Sequence, residues 1–336
     1  MFFSSLILRI AVAVALTFSL SRTGRAQVSS SNPPATREQV PTAVPSPPSL
    51  KGEVPRGSKS NSLLIRPEFL PGNTYRFVTR TELKSPAGDA VIEQQARFDA
   101  KVRVDGKRGI VVKARTERLD VQLQAGGRTA IYRSLEPADQ ETLIGKHFQS
   151  ALYRSVDFTL NQDLRIDSSE EGGRAIPESP LPGMPRFGPE ELKQLIGMIP
   201  QGFSVEPVRF GESWVLQGSR SVSEIGILNF EVTYRLAGPI NFEDNQCLSI
   251  EFSGQLNGEV PLSRSDGVPA GESLAGLQGN GMRGRILFDP LDKMVRYIEQ
   301  SLDLNLVMPG IGSAAPQQVP VQQTTTIRLL HVIATP

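Results

Sequence analysis

The chain has 336 residues, and its 36 Lys and Arg residues against 35 Asp and Glu residues give a formal net charge of +1. A nearly neutral chain lacks the basic surface that recognises nucleic acids or anionic membranes, so neither partner is expected. The single cysteine, Cys247, excludes a disulfide within the chain, and a hydrophobic core must therefore hold the fold together.

The first 26 residues have the pattern of a signal peptide. The apolar run from Ile10 to Leu20 holds 11 residues, whereas a membrane-spanning helix needs about 20. Small residues at Gly24 and Ala26 predict cleavage between Ala26 and Gln27. Cleavage leaves 33 basic against 35 acidic residues, a net charge of −2. We therefore expect a secreted or periplasmic protein with no membrane span, and an uncleaved anchor is the alternative.

Residues 27–62 have the composition of a linker. The segment contains seven prolines among Ser, Thr and Gln, without an apolar period. It cannot bury enough apolar surface to offset chain entropy, so we expect an extended, disordered tether. A wall-spanning spacer or a proline-motif ligand is the alternative. Residues 63–336 form the folded region, either one domain or two lobes of about 63–200 and 201–336.

Strand patterns begin shortly after the linker. Apolar residues alternate with charged ones over 75–83 and again over 98–104, which is the period of a strand with one wet face. Asp105-Gly106 favours a tight hairpin turn. The return strand covers 110–123, and its alternation changes parity near Arg118, which predicts a β-bulge.

Two helices are predicted between the strand-rich halves. Pro137 opens the first, whose apolar face extends to Leu152. Pro189 opens the second, which presents an apolar stripe up to Ile199 and ends at Pro200.

Further strands complete the pattern. They are predicted at 156–160, 228–236, 248–252, 286–288, 298–308 and 327–333. Loops at 167–188 and 257–281 are candidate lids. Alternation of this kind indicates antiparallel pairing. The predicted fold is mainly β with two helices, in which antiparallel sheets form either a curved, incompletely closed barrel or two packed β lobes.

No motif predicts a cofactor or metal site. Residues 279–284 have the glycine spacing of a dinucleotide-binding loop, but a strand pattern follows where a helix is required. His147 and His331 are expected as packed core or edge residues, with His331 on the same side of its strand as Leu329 and Ile333. Cys247 has no nearby base or positive charge to activate its thiol.

Scattered carboxylates are the remaining source of catalysis. The cluster Asp163, Asp167, Glu170 and Glu171 matches no calcium loop and is expected in a solvated loop. A hydrolase would need two carboxylates about 5 to 10 Å apart in a cleft. The candidates are Asp157, Asp163, Asp167, Glu170, Glu243 and Asp244. We predict no catalytic residue, and a carboxylate hydrolase is the less favoured alternative.

The one tryptophan, Trp214, enters a predicted strand. It is expected either to anchor the core, with its N–H satisfied, or to line a ligand groove. In the second case the lining of a concave sheet face would comprise Trp214, Phe230, Tyr234 and Phe252.

Four short segments carry a family resemblance. In chain order they are Tyr75-Arg76-Phe77, Tyr132-Arg133-Ser134, Phe158-Thr159-Leu160-Asn161 and Phe210-Gly211-Glu212-Ser213-Trp214. Over about residues 70–335 the chain resembles uncharacterised secreted bacterial β-rich proteins, classed as a domain of unknown function. The resemblance implies export and a sheet-dominated fold, and it supplies no catalytic residues. The fold also resembles, more loosely, the half-barrel of periplasmic lipoprotein carriers and lipid-binding lipoproteins.

These observations predict an exported, non-enzymatic binding or interaction protein of the bacterial cell envelope. Its partner would be an apolar small molecule on a concave sheet face, or an envelope protein, and no cofactor is expected. The alternative is a structural envelope scaffold that contacts a partner through a sheet edge or through residues 27–62.

Overall fold

The structure is a computed structural model. It describes residues 62–86, 88–103, 109–173, 189–222, 226–261, 274–308 and 317–334. The predicted signal peptide and its cleavage site, the linker up to residue 61 and the Asp105-Gly106 turn lie outside these residues. The described part of the chain forms twelve strands, three short helices and one 3-10 helix.

The first half of the fold contains six strands. They are β1 (Asn73–Ser85), β2 (Gly88–Val102), β3 (Ile110–Ala125), β4 (Arg128–Arg133), β5 (Arg154–Leu160) and β6 (Ile166–Gly173). Between β4 and β5 lie α1 (Pro137–Gln140), α2 (Leu143–Phe148) and the 3-10 helix Gln149–Tyr153.

The second half begins with α3 (Pro189–Met198). Its strands are β7 (Ser213–Val222), β8 (Gly226–Phe242), β9 (Asn245–Pro261), β10 (Leu274–Asp289), β11 (Met294–Met308) and β12 (Gln317–Ala334).

All of these strands belong to one antiparallel sheet. Its order is β6-β5-β3-β2-β1-β12-β11-β10-β9-β8-β7, with β4 paired to β3 beside this path. The pairing of β1 with β12 joins the two halves, and one hydrophobic core is shared by both. Within the described residues, β6 and β7 are the two edges, so the sheet is not closed. The predicted mainly-β, antiparallel and incompletely closed architecture is confirmed.

The sheet is curled, because one short segment contacts strands near both of its edges. Helix α3 packs against β3 and β5, and Gly202, shortly after the helix, accepts a hydrogen bond from Trp214 of β7. In a flat sheet, the nine strand spacings between β5 and β7 would measure about 43 Å. The ten-residue helix is about 15 Å long, and the four residues up to Gly202 add at most about 14 Å. The sheet therefore wraps around α3, which defines its inner face.

A β-bulge in β3 determines which of its residues face inward. Thr116 pairs with Ala96 and Arg118 pairs with Gln95, which leaves Glu117 between them without a partner on β2. The extra residue changes the alternation from even to odd inward positions. The predicted parity shift near Arg118 is confirmed.

A second bulge lies at Leu330 of β12. Leu329 faces inward, but the next paired residue is His331, which lies opposite Arg76 on the outer face. Ile333 consequently also faces outward and is 46% exposed. The prediction that His331 and Ile333 share one side with the buried residues of this strand is right about their common parity but wrong about the side.

Both predicted lids are partly strand. Residues 167–173 belong to β6, and residues 257–261 and 274–281 belong to β9 and β10; the rest of each lid lies outside the described residues. The glycine run 279–284 is also within β10 and not in a loop. At Gly284 the lack of a side chain leaves room for the ring of Phe252, because a β-carbon there would collide with that ring.

The first predicted helix is broken into short pieces. The hydroxyl of Thr142 accepts a hydrogen bond from the N–H of Gly145 and so starts α2 afresh after α1. Leu143, predicted on the apolar face, is the first residue of α2 and is 56% exposed. The second predicted helix is confirmed by α3.

Candidate binding site on the inner face of the sheet

The two faces of the sheet differ in chemistry. The inner face carries a continuous core to which ten strands of the sheet path and α3 contribute buried apolar side chains. The outer face carries ion pairs between neighbouring strands. A ligand that enters the fold would therefore meet apolar surface, and the informative positions are the polar side chains that face inward.

One row of inward-facing positions crosses eight strands. Direct cross-strand partners in this row are Trp214, Tyr234, Phe252, Gly284, Gln300, Thr325, Thr81 and Ile92. The first three positions are aromatic, and we call them the aromatic arc. Beyond Gly284 the row is polar at Gln300, Thr325 and Thr81, and it is apolar again at Ile92. The inner face is therefore divided at one level into an aromatic and a polar part.

The aromatic arc is covered by the chain itself. The rings of Trp214 and Tyr234 are stacked with centroids 5.9 Å apart, and those of Tyr234 and Phe252 are 5.4 Å apart. Trp214 Nε1 donates to the carbonyl of Gly202 at 3.1 Å. Gly202 has a φ of +85° and leaves no room for a β-carbon beside Tyr234. Trp214 is therefore a satisfied core residue in this structure.

The structure brings together three of the four predicted lining residues. Phe230 stands apart from the arc, opposite Gly218 of β7 and Leu256 of β9. It is half-buried, and its ring lies against Gly218. The role of the four residues in ligand binding stays a prediction.

Six buried polar residues face inward on five adjacent strands, and we call them the polar belt. Its members are Thr116 of β3, Gln94 of β2, Thr81 of β1, Gln323 and Thr325 of β12 and Gln300 of β11. None of them is ionisable. A belt of amides and hydroxyls inside an apolar face costs free energy unless each group has a hydrogen-bond partner.

Two sets of hydrogen bonds connect the belt. Gln94 Nε2 donates to Thr116 Oγ1 at 2.7 Å. Gln323 Nε2 donates to Thr325 Oγ1 at 3.1 Å, and Thr325 Oγ1 lies 3.4 Å from Thr81 Oγ1. The side chains thus satisfy one another across β1, β2, β3 and β12.

Gln323 is the exception within the belt. Its side chain is 2% exposed, and its carbonyl oxygen Oε1 is buried without a hydrogen-bond partner among the described residues. Leaving such an acceptor buried and unpaired costs about 1 to 3 kcal/mol. The oxygen is therefore a position at which a donor from another molecule would be stabilised.

The belt separates two sections of the inner face. The upper section is filled from within, as shown by the contacts of Phe203 with Phe288 at 5.5 Å and of Phe69 with Tyr75 at 5.0 Å. The lower section lies beyond the belt, toward the opposite ends of the same strands. Its buried side chains are Leu83, Leu256, Leu277, Leu304, Leu306 and Val321. These buried positions are aliphatic, and the half-buried Phe230 lies in the same row, opposite Leu256.

The outer face is organised around the bulge residue Glu117. Its carboxylate is 2.8 Å from Arg76 Nε, 3.7 Å from Arg115 and 4.0 Å from Arg97. Arg76 also lies 3.1 Å from Nε2 of His331. His331 is therefore part of an outer-face polar network and is not a core residue.

The predicted carboxylate candidates are dispersed. Asp163, Asp167 and Glu243 form ion pairs with Arg66, Arg103 and Arg328, respectively. Asp157 and Glu170 are direct cross-strand partners on β5 and β6, but they lie on the outer face and Glu170 is exposed. Asp244 is in the turn between β8 and β9. The structure places no two of these six described residues in a cleft of the inner face.

The two remaining candidates, His147 and Cys247, are both buried in the fold. His147 is buried beside Phe148, with ring centroids 4.8 Å apart. Cys247 is fully buried, and burial together with the nearby Asp289 raises the pKa of its thiol to about 11. A thiol with this pKa is protonated at neutral pH and is a poor nucleophile.

The described part of the chain shows neither a membrane-spanning helix nor a metal-binding cluster. No helix in the described ranges has the length and apolar character of a membrane span. Within the same ranges no three His, Cys, Asp or Glu side chains come together in a way that could hold a metal ion.

The polar belt was missed from the sequence for a definite reason. The strand containing Gln94 was predicted to begin at Phe98, but β2 begins at Gly88. The strand containing Gln323 was predicted to begin at Ile327, but β12 begins at Gln317. Polar inward residues interrupt the apolar alternation and so hide the strand. The available signal was Gln300, which keeps the parity of Ile298 and Leu302 within one predicted strand.

No protein-family model matches the chain, and no curated protein matches it. A solved structure of lipovitellin, which concerns lipid–protein interactions, is similar with a TM-score of 0.41 and 11% sequence identity. The likeness covers 80% of this chain and 26% of that chain, so this chain spans about a quarter of the lipovitellin chain it matches.

Proposed function

We propose that the protein is an exported, non-enzymatic binding protein of the bacterial cell envelope that holds an apolar ligand within the curl of its sheet. The observation that carries this proposal is the mismatch between the curled sheet and the helix inside it.

The curled sheet is wide. Side chains alone fill a barrel of about eight strands, whereas the path of this sheet has eleven strands. Barrels wider than eight strands enclose a helix, a cavity or a channel. Width alone therefore provides room for a helix and for additional atoms.

The curled sheet is also long compared with its helix. Most of its strands have 13 to 18 residues, which corresponds to about 45 to 60 Å. Helix α3, with ten residues, is about 15 Å long. Among the described segments, α3 and its flanks fill the upper section. At the lower end, α2 and the 3-10 helix cover β3 and β4, where Leu119, Val121 and Tyr132 are buried with Phe148. We assign the ligand to the aliphatic remainder of the lower section, on the strands from β1 to β9.

Export is supported by the sequence. An 11-residue apolar run and the small residues Gly24 and Ala26 fit a cleaved signal. The resemblance to secreted bacterial β-rich proteins agrees with this location. N-terminal sequencing of the protein recovered from its host is expected to begin at Gln27, and recovery of the protein with Met1 intact would contradict the proposal.

The binding proposal is tested by an apolar fluorescent probe. We expect N-phenyl-1-naphthylamine to bind the purified protein, and we expect the host-derived protein to carry an extractable lipid or hydrophobe detectable by mass spectrometry. Leu304→Trp, which places a large ring in the lower section, is expected to weaken probe binding by at least tenfold. Asn305→Trp is the matched control, because Asn305 is exposed on the other face of β11.

A filled interior gives the opposite result. In that case the probe does not bind, the host-derived protein carries no hydrophobe, and Leu304→Trp lowers stability by overpacking. That combination would overturn the binding proposal.

An envelope scaffold is the second candidate, and it is favoured by the edge strand β7. Within the described residues β7 pairs only with β8, so its other side offers backbone groups for strand addition. Pull-down from envelope extracts with and without residues 27–62 separates the scaffold versions: loss of partners on deletion supports contact through the linker.

A further inference from the structure

We propose that the ligand is an uncharged amphipathic molecule with one hydroxyl group, which donates its hydrogen bond to Gln323 Oε1 while the apolar body lies along the lower section. This inference rests on the proposed function and specifies the ligand class of the same site. It follows from four features of the polar belt.

The first feature is the orientation of the Gln323 amide. Its Nε2 donates to Thr325 Oγ1 at 3.1 Å. Thr325 Oγ1 also lies 3.4 Å from Thr81 Oγ1, and either hydroxyl can be the donor of that pair. With the amide nitrogen directed at Thr325, the amide oxygen makes no hydrogen bond to another side chain of the belt.

The second feature is the unpaired oxygen itself. Gln323 Oε1 is buried, and no group in the described part of the chain forms a hydrogen bond with it. An amide oxygen is an acceptor only, so the group that satisfies it must donate an O–H or N–H. The chemistry of the ligand's polar group is thereby restricted to a hydrogen-bond donor.

The third feature is the absence of ionisable groups in the belt. Its six members are three threonines and three glutamines. A carboxylate, phosphate or ammonium group placed here would be buried without a counter-ion, which is far more costly than burying a neutral hydroxyl. The polar group of the ligand is therefore neutral, and an alcohol fits it.

The fourth feature is the position of Gln323 between polar and aliphatic surroundings. Its cross-strand partners are Leu83 of β1 and Leu302 of β11, and Val321 lies two residues before it on the same face of β12. When the hydroxyl of a ligand binds Gln323, the carbon chain of that ligand can therefore extend into the lower section. Gln323 Oε1 is a single acceptor between the polar belt and the lower section, and it therefore fits a ligand with a single hydroxyl at one end of an apolar body.

The test compares two ligands that differ only in the donor. Binding of 1-decanol and of decyl methyl ether to the full mature chain is measured by calorimetry. One hydrogen bond contributes about 0.5 to 1.5 kcal/mol, so we expect the alcohol to bind about 3- to 10-fold more tightly than the ether. The ether retains the acceptor and the apolar chain but cannot donate.

Two variants assign the preference to the belt. Gln323→Met removes the acceptor with little change of shape and is expected to bring the alcohol-to-ether ratio to about 1 while ether affinity stays within about twofold. Gln322→Met is the matched control, because Gln322 is exposed on the other face of the same strand, and it is expected to keep the wild-type ratio. Decanoate is expected to bind more weakly than the alcohol, because its charge would be buried.

The outcomes separate this inference from the proposed function. If neither decanol nor the ether binds, the binding proposal fails and the inference fails with it. If both bind equally, or if Gln323→Met leaves the preference intact, the inference is overturned while apolar binding stands. If Gln323→Met does not fold, Thr325→Val decides, since it removes the hydroxyl that orients the amide: an unchanged ratio in that variant overturns the inference.

Discussion

The aromatic arc and the polar belt lie on the same sheet face, and three belt residues continue the row of the arc, yet the two are completed in different ways. In the arc, Trp214 has its N–H bonded to Gly202, and the chain itself covers the rings. In the belt, Gln323 keeps a buried oxygen that has no partner among the described residues. Burial alone therefore does not distinguish a finished core from a binding site, whereas the hydrogen-bond inventory of the buried polar groups does.

The largest expected effect is in the arc. Trp214→Ala should lower the free energy of unfolding by about 3 to 5 kcal/mol, because it empties a large, satisfied core position. Chemical denaturation measures the loss. Phe210→Ala is the control, since Phe210 is 51% exposed, and its expected change is within about 0.5 kcal/mol. Equal effects of the two variants would show that the arc is not the finished core described above.

The tight contact at Gly202 is tested by a pair of glycines. Gly202 and Gly211 have φ values of +85° and +83°, but only Gly202 faces a neighbouring ring, that of Tyr234. Gly211→Ala should cost about 1 to 2 kcal/mol from backbone strain alone. Gly202→Ala should cost at least about 1 kcal/mol more by the same denaturation measurement, because the ring must move. Equal losses would contradict the close cover of the arc.

Alkaline pH probes the opposite face of β9. The folded-state pKa of Cys247 is raised from 9.0 to about 11, so between these values the unfolded thiol ionises while the folded thiol keeps its proton. Stability should therefore fall as pH rises through this window, by up to about 2 kcal/mol from this group. Cys247→Ala should remove that part of the slope when unfolding is measured at pH 8 and pH 11. An unchanged slope would contradict the burial of the thiol.

In the belt, replacing a polar side chain should have the opposite sign to truncation in the arc. Gln323→Met removes a buried acceptor whose lack of a partner costs about 1 to 3 kcal/mol, and it also removes the Nε2 hydrogen bond to Thr325, which contributes about 0.5 to 1.5 kcal/mol. The free energy of unfolding should therefore rise by up to about 1 kcal/mol in the absence of ligand. Gln322→Met should change it by less than about 0.5 kcal/mol. A loss of stability in Gln323→Met would mean that the oxygen carries less penalty than the lost hydrogen bond contributes, and that the belt is as complete as the arc.

The smallest expected effect is on the outer face. Glu117→Gln should cost at most about 1 kcal/mol, because its arginine partners remain partly hydrated, and the loss should shrink in high salt. Glu231→Gln is the control, since Glu231 is exposed and forms no ion pair within the described residues. A larger loss of unfolding free energy that does not depend on salt would show that the ion pairs of the outer face contribute substantially to stability.

The sequence predicts the strands in which apolar and polar residues alternate regularly. It does not reveal the bulge at Leu330 or the buried polar residues that interrupt this alternation. The bulge near Arg118 was predictable because apolar residues continue on both sides of it. The bulge at Leu330 was not, because Leu329, Leu330 and Val332 are all apolar and hide the shift. The polar belt was lost for the converse reason, since Gln94 and Gln323 resemble loop residues until their strand partners are known. Which polar group lacks a partner is a property of the three-dimensional structure.

The pairing of β1 with β12 has a consequence for how the protein folds. Asn73 pairs with Ala334 across 261 residues of sequence, whereas neighbouring strands within each half are joined by much shorter connections. Contacts between residues so distant in sequence form late, because closing the long loop costs conformational entropy before any contact is made. Each half can form local hairpins during synthesis. The edge of β1 that pairs with β12 stays unpaired until Gln317–Ala334 has been synthesised, and until then it can pair with a wrong strand. The step that joins them is thus the one at which misassembly competes most strongly with folding.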